Sequence, residues 1–351
     1  MRAWRSKMYN NRTALICLIL LFFFTAIALL AFLIAPDSTK DANRQSPRIA
    51  LRAPGYSISL LSEPNSKYKE SRSGIISLFV GKVDDQYLFP VDSIAYEGNT
   101  VVSYFEGTKS IHETISSGEE QVVRQTFLLG TDKYGRDILS RIILGLRSSL
   151  FIGFAAVILS ILLGAVIGMI GGYFGGKIDS LIMLLINTAW SIPTILMAFA
   201  IILVLGKGFW VIVLAVTLTM WVDVARIVRG ETLQLKSQLF IQATKVLGLS
   251  NFKTIFRHIL PNLSGTLLVM AAANFATAVL VEAGLSFLGL GIQPPSPSLG
   301  NMLQENYAYA TGGYVYLAIF PIVAIMILVL TFNLLGTSLR DVFDVKTTKN
   351  K

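Results

Sequence analysis

Long apolar runs alternate with polar connections along the chain. Residues 14–35 are 22 uncharged positions, about 33 Å as a helix and enough to cross a hydrocarbon core of ~30 Å. Further apolar runs at 148–170, 180–205, 209–227, 265–290 and 314–336 predict five more spans. The expected fold is therefore an all-α polytopic membrane protein with six transmembrane helices. A cleaved signal peptide is the competing reading of 14–35. Signal cores run only ~7–15 residues, and no small-x-small site precedes Pro36, so an uncleaved anchor is expected.

Details within the runs add to this. Gly164 and Gly168 are spaced for close helix contact in the second span. Asn187 and Pro193 interrupt the third, where a proline kink is tolerated if neighbours satisfy the freed carbonyl. Asn274 and Glu282 interrupt the fifth. An acid in a span faces the bundle or a wet path. Glu282 thus reads either as a site for the cationic amine of a peptide or as a structural partner for a neighbouring subunit. With Asn274 it marks the candidate translocation path.

The polar connections differ in character. Residues 37–130 form an insert that looks β-rich from Gly74 on, with strands expected at 75–80, 95–96 and 101–105 and a turn at 97–99. From 37 to 147 there are 14 Lys/Arg and 14 Asp/Glu, so this stretch carries no orientation signal. Its readings are a lid or spacer, or a contact for a substrate-binding protein. Gly130–Asp137 is a glycine-rich polar turn. Ile138, Ile142 and Leu146 after it suggest an interfacial helix, with Arg136, Arg141 and Arg147 toward water or headgroups. Residues 298–313 read as a loop.

The connection 240–262 is the most informative. Phe240, Ala243 and Leu247 are at helical spacing, with Gln242 and Lys245 on the other side. Gly248 reads as a helix stop, and Ser250 as the cap of a second helix. That helix places Phe252, Ile255, Phe256 and Ile259 on one face and Lys253 and Arg257 on the other. Leu260-Pro261 is expected to end it. The bland reading is a loop with two interfacial helices. The functional reading is a bent surface element that docks a soluble partner and passes motion to the spans.

Charge then fixes orientation. The first 12 residues carry Arg2, Arg5, Lys7 and Arg12 without an acid, and 226–257 holds six Lys/Arg against Glu231 alone. Short basic segments belong in the cytoplasm, and counting spans from a cytoplasmic N-terminus puts 240–262 there too. The insert is then extracytoplasmic and lies between the first two spans. Residues 338–351 form a cytoplasmic tail. The net charge of +9 brackets the spans, which argues against a nucleic-acid partner. Charged residues make up 15% of the chain, against ~25% in soluble proteins. Cys17 is the sole cysteine, so no intramolecular disulfide exists. The two histidines are far apart, and neither a metal-type spacing nor a catalytic constellation is present. Gly171-Gly172-Tyr173-Phe174-Gly175-Gly176-Lys177 fits the start of a phosphate loop. Ile178 comes next where Mg²⁺ needs a hydroxyl, and a span precedes it where a strand is needed, so a tight interhelical turn is expected.

Four ordered motifs carry a family resemblance over roughly 130–345: Gly130-Thr131-Asp132-Lys133-Tyr134-Gly135-Arg136-Asp137, the GGYFGG run at 171–176, the 240–262 loop, and Leu285–Gly291 with Gln293-Pro294-Pro295 after it. The loop resembles the EAA loop of permease subunits of binding-protein-dependent ABC importers. Gln242-Ala243-Thr244 fill the Glu-Ala-Ala places, Gly248 is in register, His258 takes the Ile place and Leu260-Pro261 close the pattern. The chain looks like the C-type permease subunit of a dipeptide, oligopeptide or nickel importer. The resemblance implies an ABC type-1 permease core over 146–337, a bacterial inner-membrane location, a second homologous permease, two ABC ATPase subunits that alone hold ATP and Mg²⁺, and an extracytoplasmic substrate-binding protein. It implies no enzyme activity and no cofactor in this chain. Gln242, Ala243, Thr244, Lys245, Gly248, Leu249, Leu260 and Pro261 are the expected ATPase-coupling residues, the first four as a docking face. An ion-gradient-driven secondary transporter is the alternative; it would need inverted repeats and more intramembrane acids than Glu282. A sensor protein would need an output domain, and about 15 residues come after the last span.

Overall fold

The computed structural model describes residues 12–64, 77, 80–84, 86–91, 93–97, 100–105, 110–115 and 121–343. The helices are α1 Arg12–Leu29, α2 Ala31–Ile34, α3 Ile138–Phe174, α4 Gly176–Trp190, α5 Thr194–Leu205, α6 Phe209–Lys236, α7 Leu239–Val246, α8 Asn251–Thr254, α9 Leu260–Phe287, α10 Leu299–Thr311 and α11 Tyr316–Phe343. The strands are β1 Tyr56–Pro64, β2 Gln86–Val91, β3 Ser93–Glu97, β4 Thr100–Phe105, β5 Ser110–Ile115 and β6 Gln121–Phe127. Among the described residues, five helical stretches are long and apolar enough to cross a membrane, or six if the α4–α5 pair, bent by 91°, is one span. The break falls at Ser191–Pro193, where proline withholds a donor and disfavours helix in the residue before it. The kink expected at Pro193 is thus a full corner.

Two compact units divide the chain. The first comprises Met1–Phe23, Ser149–Gly291 and Ile325–Lys351. In it, α3 packs on α6 through glycines. A Cβ on Gly164 would lie 2.6 Å from the Trp221 carbonyl oxygen, and one on Gly168 would lie 2.5 Å from that of Ala225. The expected close contact is there, extended by Gly172 against Arg229 and Thr232. Phe275 stacks on Phe332 with centroids 3.7 Å apart and lies beside Phe154 at 4.7 Å. At the turn after α3, Gly175 and Gly176 both have positive φ, so the GGYFGG run makes the tight interhelical turn. Asp179 in the first turn of α4 accepts two hydrogen bonds from Arg229 on α6, at 2.5 and 2.6 Å.

The second unit comprises Phe24–Ser148 and Ile292–Ala324. It holds two three-stranded antiparallel sheets, ordered β2-β1-β6 and β3-β4-β5. Strands expected at 95–96 and 101–105 lie in β3 and β4, with Glu97 paired to Thr100. Gly98 and Asn99 of the expected turn are outside the described residues. Of 75–80, only Ser77 and Val80 are described, and both are helical rather than extended.

Two sequence expectations are corrected in this unit. No interfacial helix stands apart at 138–147, because α3 runs unbroken from Ile138. Arg147 is half-buried with its guanidinium 4.7 Å over the Phe32 ring, and the other two arginines do not face water. Arg136 and Arg141 are buried, and Arg136 bonds Asp132 at 2.6 Å and Glu305 at 2.5 Å, with Arg141 3.5 Å from Glu305. Asp132 also accepts the backbone N–H groups of Tyr134 and Arg136. Nothing between 138 and 148 breaks a helix, and counter-charges within the fold satisfy the cations. The glycine-rich motif is what permits this packing. Gly135 has φ +73, and a Cβ there would collide with the carbonyl oxygen of Ser46. The second correction concerns 298–313, which is mostly helix α10. Ser298 caps it by accepting from the N–H of Asn301 at 3.0 Å, and Leu299 and Met302 are buried while Gln304, Tyr307 and Tyr309 are exposed.

Candidate functional site

The loop between α6 and α9 folds as two short helices around Gly248. α7 ends in a Schellman motif. The N–H of Leu249 donates to the Thr244 carbonyl and the N–H of Gly248 to that of Lys245, both at 3.0 Å. Gly248 has φ +72 with open space around its missing Cβ, so conformation alone demands glycine there. The Ser250 side chain accepts from the N–H of Lys253 to start α8. The helix stop and the cap both stand where the local chemistry of glycine and serine predicts them.

The end of the second helix departs from expectation. Leu260-Pro261 does not terminate it. A π turn at Ile255–Ile259 leads directly into α9, whose first turn holds Pro261. Proline's ring displaces the carbonyl four residues back, that of Arg257, and the π turn places that residue outside regular α pairing.

The buried face also differs from the one expected. Ile241 and Thr244 of α7 point inward, with Thr254, Ile255 and Ile259 after the bend. Ile241, Ile255 and Ile259 join a core with Val224, Val228 and Leu263. Thr244 and Thr254 hydroxyls meet at 3.2 Å across the bend, and Tyr173 donates to Asn251 at 2.9 Å. Thr244 is therefore no part of an outward face, unlike Gln242, Ala243 and Lys245, which are exposed. Leu249 and Leu260 are half-buried and Pro261 exposed.

The outward face carries Phe240, Leu247, Phe252 and Phe256 of the two expected apolar stripes, together with Leu239 and Val246. Val246 is 87% exposed, Leu247 76% and Phe252 68%; Leu239, Phe240 and Phe256 are exposed too. Phe252 and Phe256 lie ring to ring at 4.4 Å. Lys245, Lys253 and Arg257 are exposed among them. The signal that finds this face is the excess of apolar residues in 239–259, more than one helical stripe can bury.

The candidate path residues lie elsewhere in the same unit. Glu282 is fully buried and accepts from the Ser149 hydroxyl at 2.8 Å and the Ser286 hydroxyl at 2.7 Å. In this conformation it lines no open path. Asn274 is half-buried, and its Nδ2 has no hydrogen-bond partner. Sequence reasoning does not single out the polar group at the α4–α5 corner. There Trp190 donates to Asp223 at 3.1 Å, and the Arg226 guanidinium lies 4.0 Å over the Trp190 ring. The Leu285–Gly291 motif closes α9 in a second Schellman turn, with Gly289 at φ +76 and Leu290 N–H donating to the Leu285 carbonyl at 2.9 Å. Among the described residues, no group of His, Cys, Asp and Glu could hold a metal ion.

Comparison with known proteins supplies the context. Residues 160–349 match the family model described as binding-protein-dependent transport system inner membrane component. Residues 1–54 match the N-terminal TM domain of oligopeptide transport permease C. The oligopeptide transport system permease protein OppC of Bacillus subtilis is 41% identical over 220 residues, 63% of this chain and 72% of that protein. The dipeptide transport system permease protein DppC of the same organism is 38% identical over 217 residues, 62% and 68% of the two chains. The glutathione transport system permease protein GsiD of Shigella dysenteriae is 43% identical over 217 residues, 62% and 71%. With a family model covering more than half its length and relatives at about 40% identity, the chain belongs to the multi-pass inner-membrane permeases of binding-protein-dependent ABC importers, in the group that includes the oligopeptide and dipeptide C-type permeases.

Proposed function

We propose that the chain is a translocating subunit of an ATP-driven importer of short peptides, and that the loop 239–262 receives an ATPase subunit. The observation that carries the docking reading is the outward face of α7 and α8. An exposed apolar cluster ringed by three cations, on a bend pinned by Gly248 and backed by a fully buried core, is a surface for another protein. Rigid backing matters, because a push on the face then moves α6 and α9 rather than the loop alone. On this reading the loop and both termini are cytoplasmic, consistent with its basic charge. The α4–α5 pair serves as one bent span, giving six. ATP and Mg²⁺ are held by two partner ATPases, this chain does no chemistry, and a second homologous permease completes the pathway. An extracytoplasmic binding protein delivers cargo.

Oligopeptide, dipeptide and glutathione permeases are the relatives, and all three names denote peptides. A peptide is accordingly the proposed cargo. Membership of an ATP-driven family runs against a gradient-driven transporter. The test is co-purification of the ATPase subunits with a Leu247→Asp, Phe252→Asp double variant. Loss of the ATPases with normal membrane insertion is expected. Undiminished recovery of active ATPase complex contradicts the docking assignment.

A further inference from the structure

The corner between α4 and α5 holds two charges apart at membrane depth. Asp223 lies at the middle of the 28-residue α6, about 20 Å from either end at ~1.5 Å per residue. It is exposed, as are Asn187, Trp190 and the non-helical break Ser191–Pro193. Asp223 Oδ1 accepts from the Trp190 indole at 3.1 Å, and among the described residues Oδ2 accepts nothing. Arg226, one turn along α6, is placed to pair with such an acid. Its guanidinium instead lies 4.0 Å over the Trp190 ring and donates to Asn187 Oδ1 at 3.2 Å. Trp190 thus holds the acid by its edge and the cation on its face.

Both features restrict what lies outside the corner. An ionisable side chain in a span faces the bundle or water rather than lipid. Non-helical backbone at membrane depth occurs only where protein covers it or water reaches it. A dry protein interface would bury two charges that do not neutralise each other, at a heavy desolvation cost. An aqueous path meets both demands without that cost. Asp223, Trp190, Pro193, Thr194 and Thr219 line a hollow of about 150 Å³ there. Pockets that enclose a whole small molecule start at ~300 Å³, so this hollow takes one end of a longer one. Glu282, the acid that sequence places in the path, is fully buried, so Asp223 is the acid open to a passing cargo.

We propose that the corner is a cargo subsite in the translocation path that reads the two charged ends of a zwitterionic dipeptide, its ammonium on Asp223 Oδ2 in the hollow and its carboxylate on Arg226. This rests on the peptide-importer reading and adds the residues that recognise the cargo. Side chains at i and i+3 of a helix stand ~5–6 Å apart, and a dipeptide extends over at most ~7 Å. Its termini therefore reach both charges at once. The ammonium is a compact point donor that suits one free oxygen, and the carboxylate suits the guanidinium fork.

The test uses the assembled transporter in proteoliposomes, with a pool of di- to pentapeptides outside. Peptides reaching the lumen are measured by mass spectrometry alongside ATP hydrolysis. Asp223→Asn keeps the Oδ1 acceptor for Trp190 and removes only the charge. It is expected to retain binding-protein-stimulated ATP hydrolysis and to lower dipeptide uptake per ATP at least tenfold. Trp190→Phe, which loses the indole donor, should lower it by less. Unchanged dipeptide uptake per ATP in Asp223→Asn overturns the proposal and leaves the importer reading standing, as does wild-type uptake of longer peptides without dipeptides. Loss of the second permease on purification of a correctly inserted Asp223→Asn chain makes the acid an interface residue and also overturns it. Absence of ATP-driven uptake of any peptide by the wild type overturns the importer reading and this one with it. Should Asp223→Asn fail to insert, Thr194→Phe fills the hollow from an exposed position, and undiminished dipeptide uptake in that variant overturns the proposal.

Discussion

The loop around Gly248 and the knot around Arg136 use charge and apolar surface in opposite ways. In the loop, Lys245, Lys253 and Arg257 face outward beside exposed Val246, Leu247 and Phe252, and backbone geometry does the holding. In the knot, Arg136, Arg141, Asp132 and Glu305 are hidden and hold one another. Both stretches read as polar, glycine-containing connections in sequence. The difference teaches that an element meant for a partner keeps its sticky groups outside and relies on local conformation. An element meant to tie the chain together hides its charges and depends on each member being present.

That contrast is open to attack at several points. The largest effect is expected in the knot. Arg136→Met leaves buried Asp132 and half-buried Glu305 without their main counter-charge, and breaking a buried pair costs ~3–5 kcal/mol. Unfolding of the purified variant by denaturant should show that loss; a near-neutral result would mean that the knot is wet. Next is Gly168→Leu, where a side chain has no room against the Ala225 carbonyl. Overpacking of this kind costs ~1–3 kcal/mol and more when backbone must move, so thermal unfolding should drop by several degrees and Gly168→Ala by less.

Gly248→Val tests the loop. No clash arises, so the cost is conformational, about 1–2 kcal/mol for a non-glycine residue held left-handed. The chain should insert and fold while transport driven by ATP is lost, and Gly248→Asn should retain more activity. Wild-type uptake in Gly248→Val would show that the bend is dispensable. The smallest effect concerns Asp137. Burial raises its carboxyl above the ordinary range, so the native state holds this proton more tightly than the unfolded chain does. Ionisation then penalises the fold as pH rises from the ordinary carboxylate range through the raised native value. Asp137→Asn should remove that decline, measured as a flatter dependence of unfolding temperature on pH.

The elements legible in the sequence are those with local causes. Apolar length marks the spans, and Gly248 and Ser250 mark a helix stop and a cap through their own conformational chemistry. Gly164 and Gly168 mark close contact by spacing alone. What is not legible depends on distant partners. Arg136 and Arg141 look solvent-bound until Glu305, far along the chain, is brought against them. Phe252 and Phe256 fit a helical stripe, yet the core behind α8 is filled by Thr254, Ile255 and Ile259. Pro261 looks like a terminator, yet it begins α9 because a π turn absorbs its constraint. Glu282 reads in sequence either as a site for a cationic amine or as a structural partner, and of the Ser149 and Ser286 hydroxyls that bond it, that of Ser149 comes from a position the sequence does not connect to it.

The claim that the bent loop is a docking surface is tested most directly by a photo-crosslinking residue placed at Leu247 in the assembled, membrane-embedded transporter. An adduct with an ATP-hydrolysing subunit, formed from the cytoplasmic side, is expected. Adducts with lipid alone, or labelling of that position by a membrane-impermeant reagent added outside the cell, would contradict it.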